Sequence, residues 1–565
     1  MTKTVAKRPV RVGLISLGCA KNLVDAEIML GALLKDGLEI TNDAGQADVV
    51  IVNTCSFIDS AQEESVDAIL ESAEVRQAKN QGQGLIVSGC LPQRFREELP
   101  KLLPEVDAFM GSDQVAGVGD IVRRVLERRS GAGLRPASTS PAKARTPRRS
   151  EVVGRLAELD AGREPDVHEK AETLRGKAGF GKTRSILPPP AAAPAAPLLE
   201  VNARPGFIPD YATPRFRLTP RHFAYLKIAE GCNHPCSFCI IPRMRGSHRS
   251  RTQRDVVAEA SALLKDGVRE INLISQDSTY YGLDLRPNHT RAISAPGRFQ
   301  AAVQALPAEA TTICTLLREL NALPGDFWIR LLYTHPAHWT DELIQTIAEC
   351  PKVARYVDIP LQHIEGNMLE RMRRETSPEH IINLLQRMRA GIPGLAVRTT
   401  FIVGFPGETE EYFKTLLDFI KTARFERLGV FAYSQEDGTR AGAMAGQLPP
   451  RIRSQRRDRA MKAQHAVAVA VAESFMGRTL KVLVENAATA KDLKNARIQS
   501  WEHGLIRGAD KHTDQLRGSY LVARGEADAP DIDGRVYVRG KLPIGEFAQV
   551  RIIGHTDYDL IAEPA

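Results

Sequence analysis

No long hydrophobic run interrupts this 565-residue sequence: nowhere does an uncharged apolar stretch approach the roughly 18 residues that a membrane-crossing helix needs. The opening segment MTKTVAKRPVRVG carries basic residues but lacks the apolar core of a secretory signal. Together these absences predict a cytoplasmic protein with no membrane partner. In that compartment thiols stay reduced, so the eight cysteines are not expected to form a disulfide framework. A basic folded surface is missing as well. Residues 121–200 hold 16 Lys+Arg against 9 Asp+Glu, so +7 of the whole-chain +8 is concentrated in one stretch. The remainder is nearly neutral, so direct nucleic-acid binding is compatible with the composition but not required by it.

What is present is an ordinary globular composition, 43% hydrophobic and 25% charged, in a chain too long for a single core. From Val12 to about Leu126, short apolar runs alternate with amphipathic stretches: VGLISLG then NLVDAEIMLGALL, DVVIVNT then SAQEESVDAILESAEV, GLIVSG then RFREELPKLL. This βα repeat predicts an N-terminal α/β domain with a parallel sheet over residues 10–126. Residues 127–215, rich in Pro, Ala and Arg and containing PPPAAAPAAP, read as a disordered linker. A second alternating region follows, with strand candidates AYLKIAE, EINLISQ, WIRLLYT, RYVDIPL, VRTTFIVGF and LGVFAYS. Six such units predict a partial or complete (β/α) barrel over residues 216–448, with a surface insertion near 285–310. A connecting helix over 449–474 leads into short strands over 475–563 that predict a small β-barrel, interrupted by a polar segment near 491–516.

The cysteines fall into two groups and two singletons. Cys232, Cys236 and Cys239 lie in AEGCNHPCSFCIIPRMRG directly after a strand candidate, with the spacing C-x3-C-x2-C. Three thiolates in eight residues call for a metal. Zinc prefers four closed ligands, with nearby His234 as a candidate fourth, whereas a cubane iron–sulfur cluster on three thiolates leaves one iron open to react. Cys19, Cys55 and Cys90 follow three successive strand candidates, LISLGC, VIVNTC and LIVSGC, one βα unit apart. Strands of a parallel sheet open on one edge, so these thiols are placed to converge there and hold a second cluster. Cys314 and Cys350 have no such partners and read as plain structural thiols.

The C-x3-C-x2-C motif at the end of a first barrel strand resembles that of the radical S-adenosylmethionine enzymes. Two cysteine triads followed by a small β-barrel resemble their methylthiotransferase branch, whose terminal barrel is called TRAM. The resemblance implies two [4Fe-4S] clusters, S-adenosyl-L-methionine, an external electron donor, and a 5′-deoxyadenosyl radical that abstracts hydrogen from an unactivated C–H before a methylthio group is inserted. It implies no catalytic side chain beyond the cluster ligands. Phe238 matches the position lining the adenine pocket. Gln276 and Asp277 match the position after the second strand that contacts the methionine amino group, and Gln362 and His363 follow the fourth strand. Arg398 and the run Val403, Gly404, Phe405 and Pro406 fall where the cofactor's carboxylate and adenine are held. His363 is not expected to act as an acid or base, because radical abstraction needs neither.

Within the branch, SLGCAKNLVDAE, TPRHFAYLKIAEGCNHPCSFCIIPRMRG, LISQDSTYYG, YVDIPLQHI, RTTFIVGFPGETEE and ADAPDIDGRVYV resemble the members that modify the β-carbon of an aspartate in ribosomal protein uS12. Two other functions compete: a transfer RNA adenosine methylthiotransferase, whose first cysteine usually sits in a GCQMN-like context, and a non-catalytic iron–sulfur sensor that binds RNA. The segment GKAGFGKT, Gly176 to Thr183, fits the phosphate-loop pattern letter for letter. It lacks the buried strand before and the helix after that would aim backbone N–H groups at a phosphate, so nucleotide hydrolysis is not expected.

Overall fold

A computed structural model describes residues 8–131, 152–154, 156, 196–285, 295–436, 438–489, 499–500, 505–506 and 518–565. The phosphate-loop-like segment, most of the expected linker and most of the 491–516 segment lie outside the described residues.

The N-terminal sheet contains β1 (Arg11–Ser16), β2 (Glu39–Ile40), β3 (Val49–Thr54), β4 (Gly84–Gly89), β5 (Ala108–Met110) and β6 (Leu198–Glu200), all parallel, in the order β2-β1-β3-β4-β5-β6. Every residue of β3 and β4 is buried, as expected for strands covered on both faces, which is why they read as unbroken apolar runs. The strand order reverses at β1 and β3, the topological switch point where α/β sheets open their ligand crevice.

The expected linker over 127–215 needs correcting at both ends. The helix Val118–Gly131 runs past its start, and β6 near its end pairs in parallel with β5. Beyond β6 the chain stays anchored: Arg215 reaches the buried Glu27 at 2.6 Å and Glu259 at 2.5 Å. Those carboxylates satisfy a guanidinium that burial would otherwise penalise.

The central sheet is a six-stranded parallel open barrel. Its strands are β7 (Phe223–Lys227), then, past a short antiparallel pair of β8 (Ala229–Glu230) and β9 (Arg249–Ser250), β10 (Glu270–Ile274), β11 (Trp328–Leu331), β12 (Val353–Asp358), β13 (Ala396–Val403) and β14 (Arg427–Ala432). Helices on its outer side bury Leu316, Leu343, Leu384, Leu416 and Ala460 in one core with the strands. Its inner residues Phe223, Tyr225, Ile274 and Tyr356 share a second core with Val24 and Ile28 of the helix Ala20–Lys35. That shared core places the N-terminal domain over the open side of the barrel. In the region of the expected surface insertion, the helix Pro296–Gln304 buries Phe299 against Tyr280 and Leu283.

The helix Pro450–Glu473 connects to a closed barrel of β15 (Thr479–Thr489), β18 (Ser519–Gly525), β19 (Val536–Val538), β20 (Phe547–His555) and β21 (Leu560–Pro564), ordered β15-β18-β19-β21-β20. A separate two-stranded ribbon, β16 (Gln499–Ser500) with β17 (Leu505–Ile506), precedes β18. Arg524 of β18 reaches Glu270 of β10 at 2.6 Å, and Arg427 of β14 reaches Asp528 at 2.5 Å, so buried ion pairs lock this barrel onto the central sheet.

Candidate functional site

Cys19, Cys55 and Cys90 sit just beyond the C-terminal ends of β1, β3 and β4, three adjacent strands at the switch point. Cys232 follows the end of the first central strand, with Cys236 and Cys239 in the loop after it. All six line one cavity between the two sheets. Local glycines make this approach feasible. Gly18 has φ +90°, and a Cβ there would lie 2.8 Å from Cys55 Cβ. Gly231 has φ +82°, and its Cβ would lie 2.1 Å from the Ser247 carbonyl oxygen. Neither position accommodates a side chain.

Thiols packed this way resist carrying charge unaided. Burial, with Cys239 and Cys236 nearby, pushes the Cys232 thiol well up, and burial raises Cys239 to about 12. A bound cationic metal reverses that penalty, so the donor set fits a metal cluster. In the central triad, Ile241 N–H donates to Cys239 Sγ at 3.4 Å, and Arg374 Nη1 lies 3.6 Å from Cys236 Sγ.

The second triad is reached from the central domain by Arg245, which is 3% exposed. Its Nη2 donates to Cys90 Sγ at 3.4 Å and to Asn22 Oδ1 at 2.5 Å, and its Nη1 donates to Asp25 Oδ2 at 2.7 Å. Lys227 Nζ closes the cluster, donating to Asp25 at 2.5 Å and Glu230 at 2.7 Å. Burial alone would raise the Glu230 carboxyl; Lys227 and Arg245 instead hold it down to about 2. Gln276 Nε2 donates to the other Glu230 oxygen at 2.6 Å.

Of the other residues singled out from the sequence, Phe238, Gln276, Gln362 and Arg398 line the cavity. Gln276 Oε1, Gln362 Oε1 and Arg398 Nη2 are buried without a protein partner, so each offers a polar atom to a guest. Asp277 does not line it. Its Oδ2 is shared by His234 Nε2 at 2.8 Å and His338 Nδ1 at 2.7 Å, and its Oδ1 accepts from the Thr279 hydroxyl at 2.5 Å. Although burial opposes its charge, His338 and His234 keep this carboxyl well below the usual range. Burial in turn lowers His234 to about 4, so at neutral pH its ring is uncharged.

Val403, Gly404 and Phe405 also stand off the cavity wall, which β13 supplies through Arg398, Thr400 and Ile402. Alternate residues of a strand face one side, so Val403 points into the outer core, while Phe405 packs on Tyr433. Gly404 N–H donates to Glu408 Oε2 at 2.7 Å. His363 is fully buried and structural, 3.2 Å from Glu408 Oε1. Cys314 and Cys350 are buried away from the cavity. Asp358, Arg374, Arg245, Lys21, Tyr333 and Glu436 also line the cavity; the sequence assigned none of them a role, although Lys21, Arg245 and Asp358 lie inside the strings SLGCAKNLVDAE, CIIPRMRG and YVDIPLQHI.

A parallel half-barrel with three thiols after its first strand, opening on a cavity large enough for a cofactor, defines the radical S-adenosylmethionine class of enzymes. Family models agree along the chain: Uncharacterized protein family UPF0004 matches residues 11–111, the Radical SAM superfamily residues 226–420, and the TRAM domain residues 510–564. The chain is 49% identical over 561 residues to the ribosomal protein uS12 methylthiotransferase RimO of Opitutus terrae, covering 98% of this chain and 97% of that one. It is 43% identical over 561 residues to the protein of that name from Akkermansia muciniphila, covering 98% and 100%. Among solved structures, the radical S-adenosylmethionine methyltransferase TsrM from Kitasatospora setae aligns with a TM-score of 0.46 and 16% identity over 77% of each chain. The chain belongs to the RimO family of radical S-adenosylmethionine methylthiotransferases. As a member it works with an iron–sulfur cluster and S-adenosylmethionine. No helix among the described residues is long and apolar enough to cross a membrane.

Proposed function

We propose that this enzyme inserts a methylthio group at the β-carbon of an aspartate of ribosomal protein uS12. Cys232, Cys236 and Cys239 hold the [4Fe-4S] cluster that binds S-adenosylmethionine, and Cys19, Cys55 and Cys90 hold a second [4Fe-4S] cluster. The observation that carries this reading is the shared cavity: a methylthio insertion needs the radical and the sulfur source at one carbon, and both triads face one space. The names of the full-length relatives support the substrate.

When bound, the cofactors supply radical abstraction of an unactivated hydrogen and a sulfur presented on an open iron, chemistry no side chain can provide. The chain's own residues place and protect. Gln276, Gln362 and Arg398 would offer their unpartnered polar atoms to the cofactor, and Phe238 would supply an apolar wall for it. Ile58, Ile240, Met244, Ile402 and Phe431 make much of the remaining wall apolar, which keeps water and stray hydrogen donors from a reactive carbon. Electrons come from an external donor.

The test offers anaerobically reconstituted enzyme both uS12 and transfer RNA with S-adenosylmethionine and a reductant. A methylthio mass gain on the uS12 aspartate is expected; a gain confined to transfer RNA would replace the substrate. Absence of 5′-deoxyadenosine, with both clusters intact, would point to the non-catalytic sensor.

A further inference from the structure

Two arginines bridge the N-terminal and central domains in opposite directions. Arg245 comes from the central domain and reaches Cys90, Asn22 and Asp25. Arg94 comes from the N-terminal domain and runs the other way. It is the last residue of the short helix Cys90–Arg94, which begins on a thiol of the first triad. Its Nη1 donates to the Ser56 carbonyl at 3.0 Å, one residue beyond Cys55, and its Nη2 donates to Glu436 Oε2 at 2.6 Å. One guanidinium therefore touches the chain beside Cys55, is carried by the helix of Cys90 and grips the wall of the central barrel.

Glu436 belongs to that wall. It lies just past β14 and lines the cavity together with Cys55 and Cys90. Side-chain exposures of 4% for Arg94 and 5% for Glu436 keep the pair out of solvent. Both carboxylate oxygens are used, Oε2 by Arg94 and Oε1 by the Ser434 hydroxyl at 2.6 Å. The Thr439 hydroxyl donates to the Glu436 carbonyl and fixes the backbone beneath it. Burial pushes the Glu436 carboxyl above its ordinary value, and Arg94 opposes that shift. Taking away the guanidinium leaves a buried carboxylate without this counter-charge. In the same region Cys90 packs on Ile240, Ile241 and Met244, the segment that follows Cys239.

We infer that Arg94 is a positioning residue for methylthio transfer: through Ser56, its own helix and Glu436 it fixes the Cys55 and Cys90 end of the first triad against the barrel that generates the radical. This rests on the reading that the first triad presents the sulfur. A radical made on one domain must find a sulfur held by the other, and a displacement of about 1 Å can cost about a hundredfold in rate. The apolar core that the domains share resists their separation but has no preferred direction. A guanidinium bonded through one nitrogen to a carbonyl and through the other to a carboxylate sets orientation as well as distance. A carbon radical that misses its sulfur takes a hydrogen atom from a thiol in the mixture instead, so S-adenosylmethionine is cleaved without product.

The experiment measures 5′-deoxyadenosine and methylthiolated uS12 in the same reactions of the reconstituted full chain, with iron content and hydrogen–deuterium exchange of the metal-free chain alongside. Arg94→Met is expected to keep about eight irons. It should raise the ratio of 5′-deoxyadenosine to product about tenfold or more and lose exchange protection in residues 55–58 and 90–96. Glu436→Leu should raise the ratio similarly and the double variant no further, because both changes remove one interaction. Glu436→Gln, which keeps an acceptor for Arg94, should stay near the wild-type ratio. An unchanged ratio in Arg94→Met, whether or not total turnover falls, would overturn the inference. So would additive effects in the double variant, or the loss of about four irons, which would make Arg94 a support of the cluster site instead. A wild-type enzyme that cleaves S-adenosylmethionine but transfers nothing to uS12 is a separate result: it defeats the substrate reading itself.

Discussion

Asp533 of the terminal barrel accepts a hydrogen bond from Arg398 Nε at 3.3 Å, while Asp358 of β12 accepts from Nη1 of the same guanidinium at 2.9 Å. Tyr356 donates its hydroxyl to the second Asp533 oxygen at 2.6 Å. Arg398 lines the cavity, so a loop of the terminal barrel fixes a residue of the cofactor wall. Removing Asp533 leaves Arg398 with one carboxylate instead of two and a buried Tyr356 hydroxyl without its acceptor, at a cost of about 1–3 kcal/mol. Asp533→Ala should lower the melting temperature and weaken S-adenosylmethionine binding, measured by equilibrium dialysis. Unchanged affinity would show that the loop does not govern Arg398.

The same logic at the opposite wall concerns Arg245. Arg245→Met leaves Asp25 and Asn22 without their guanidinium and removes a donor to Cys90 Sγ. Hydrogen bonds and positive charge at cluster sulfurs favour the reduced state. The variant is expected to show a lower reduction potential for the cluster on Cys19, Cys55 and Cys90, read by a potentiometric electron paramagnetic resonance titration. The signal of the cluster on Cys232, Cys236 and Cys239 should stay near its wild-type potential.

How far the sequence carries one depends on distance along the chain. The two triads are legible for different reasons: Cys19, Cys55 and Cys90 each follow a strand of a βα repeat whose parallel strands end on one edge, whereas Cys232, Cys236 and Cys239 share one short motif after a single strand. Asp277 shows where that logic stops: its motif places it at a strand end, but His338, 61 residues away, and His234 draw its carboxylate behind the wall. On β13 the expected Arg398 does line the cavity, with Thr400 and Ile402, whereas the alternation turns Val403 into the outer core and Phe405, past the strand's end, packs on Tyr433. β6 has no signal in the sequence because three residues, LLE, carry no periodicity of their own and become a strand only by pairing with β5.

Glu230 gives the stability of the fold a pH dependence. Its folded carboxyl is depressed from 4.5 to about 2, so the unfolded chain binds the proton more readily. The stabilisation is therefore fully present above pH 4.5 and is lost as pH falls toward 2, amounting to about 3 kcal/mol for this buried group. Glu230→Gln should be less stable than wild type at neutral pH, with the difference shrinking below pH 4.5. Urea unfolding of the metal-free chain across this range measures it. A difference independent of pH would exclude the ion pair with Lys227 and Arg245 as its source.

The division of labour between the triads is tested by removing one of them. Replacing Cys19, Cys55 and Cys90 together by alanine leaves the cluster site of the central domain untouched, because its thiols come from a loop anchored on β7 and the short helix Ile241–Arg245. Reconstituted wild type is expected to hold about eight irons and the variant about four. Cleavage of S-adenosylmethionine to 5′-deoxyadenosine should continue, since the radical end is intact, but methylthio transfer to uS12 should fall below detection for want of a sulfur at the reacting carbon. The converse variant, with Cys232, Cys236 and Cys239 replaced, should also hold about four irons yet form no 5′-deoxyadenosine. Two half-loaded enzymes that fail at different steps require two functions for the six thiols. A triple-alanine variant at the first site that still methylthiolates uS12 at the wild-type rate would show that the sulfur enters by another route.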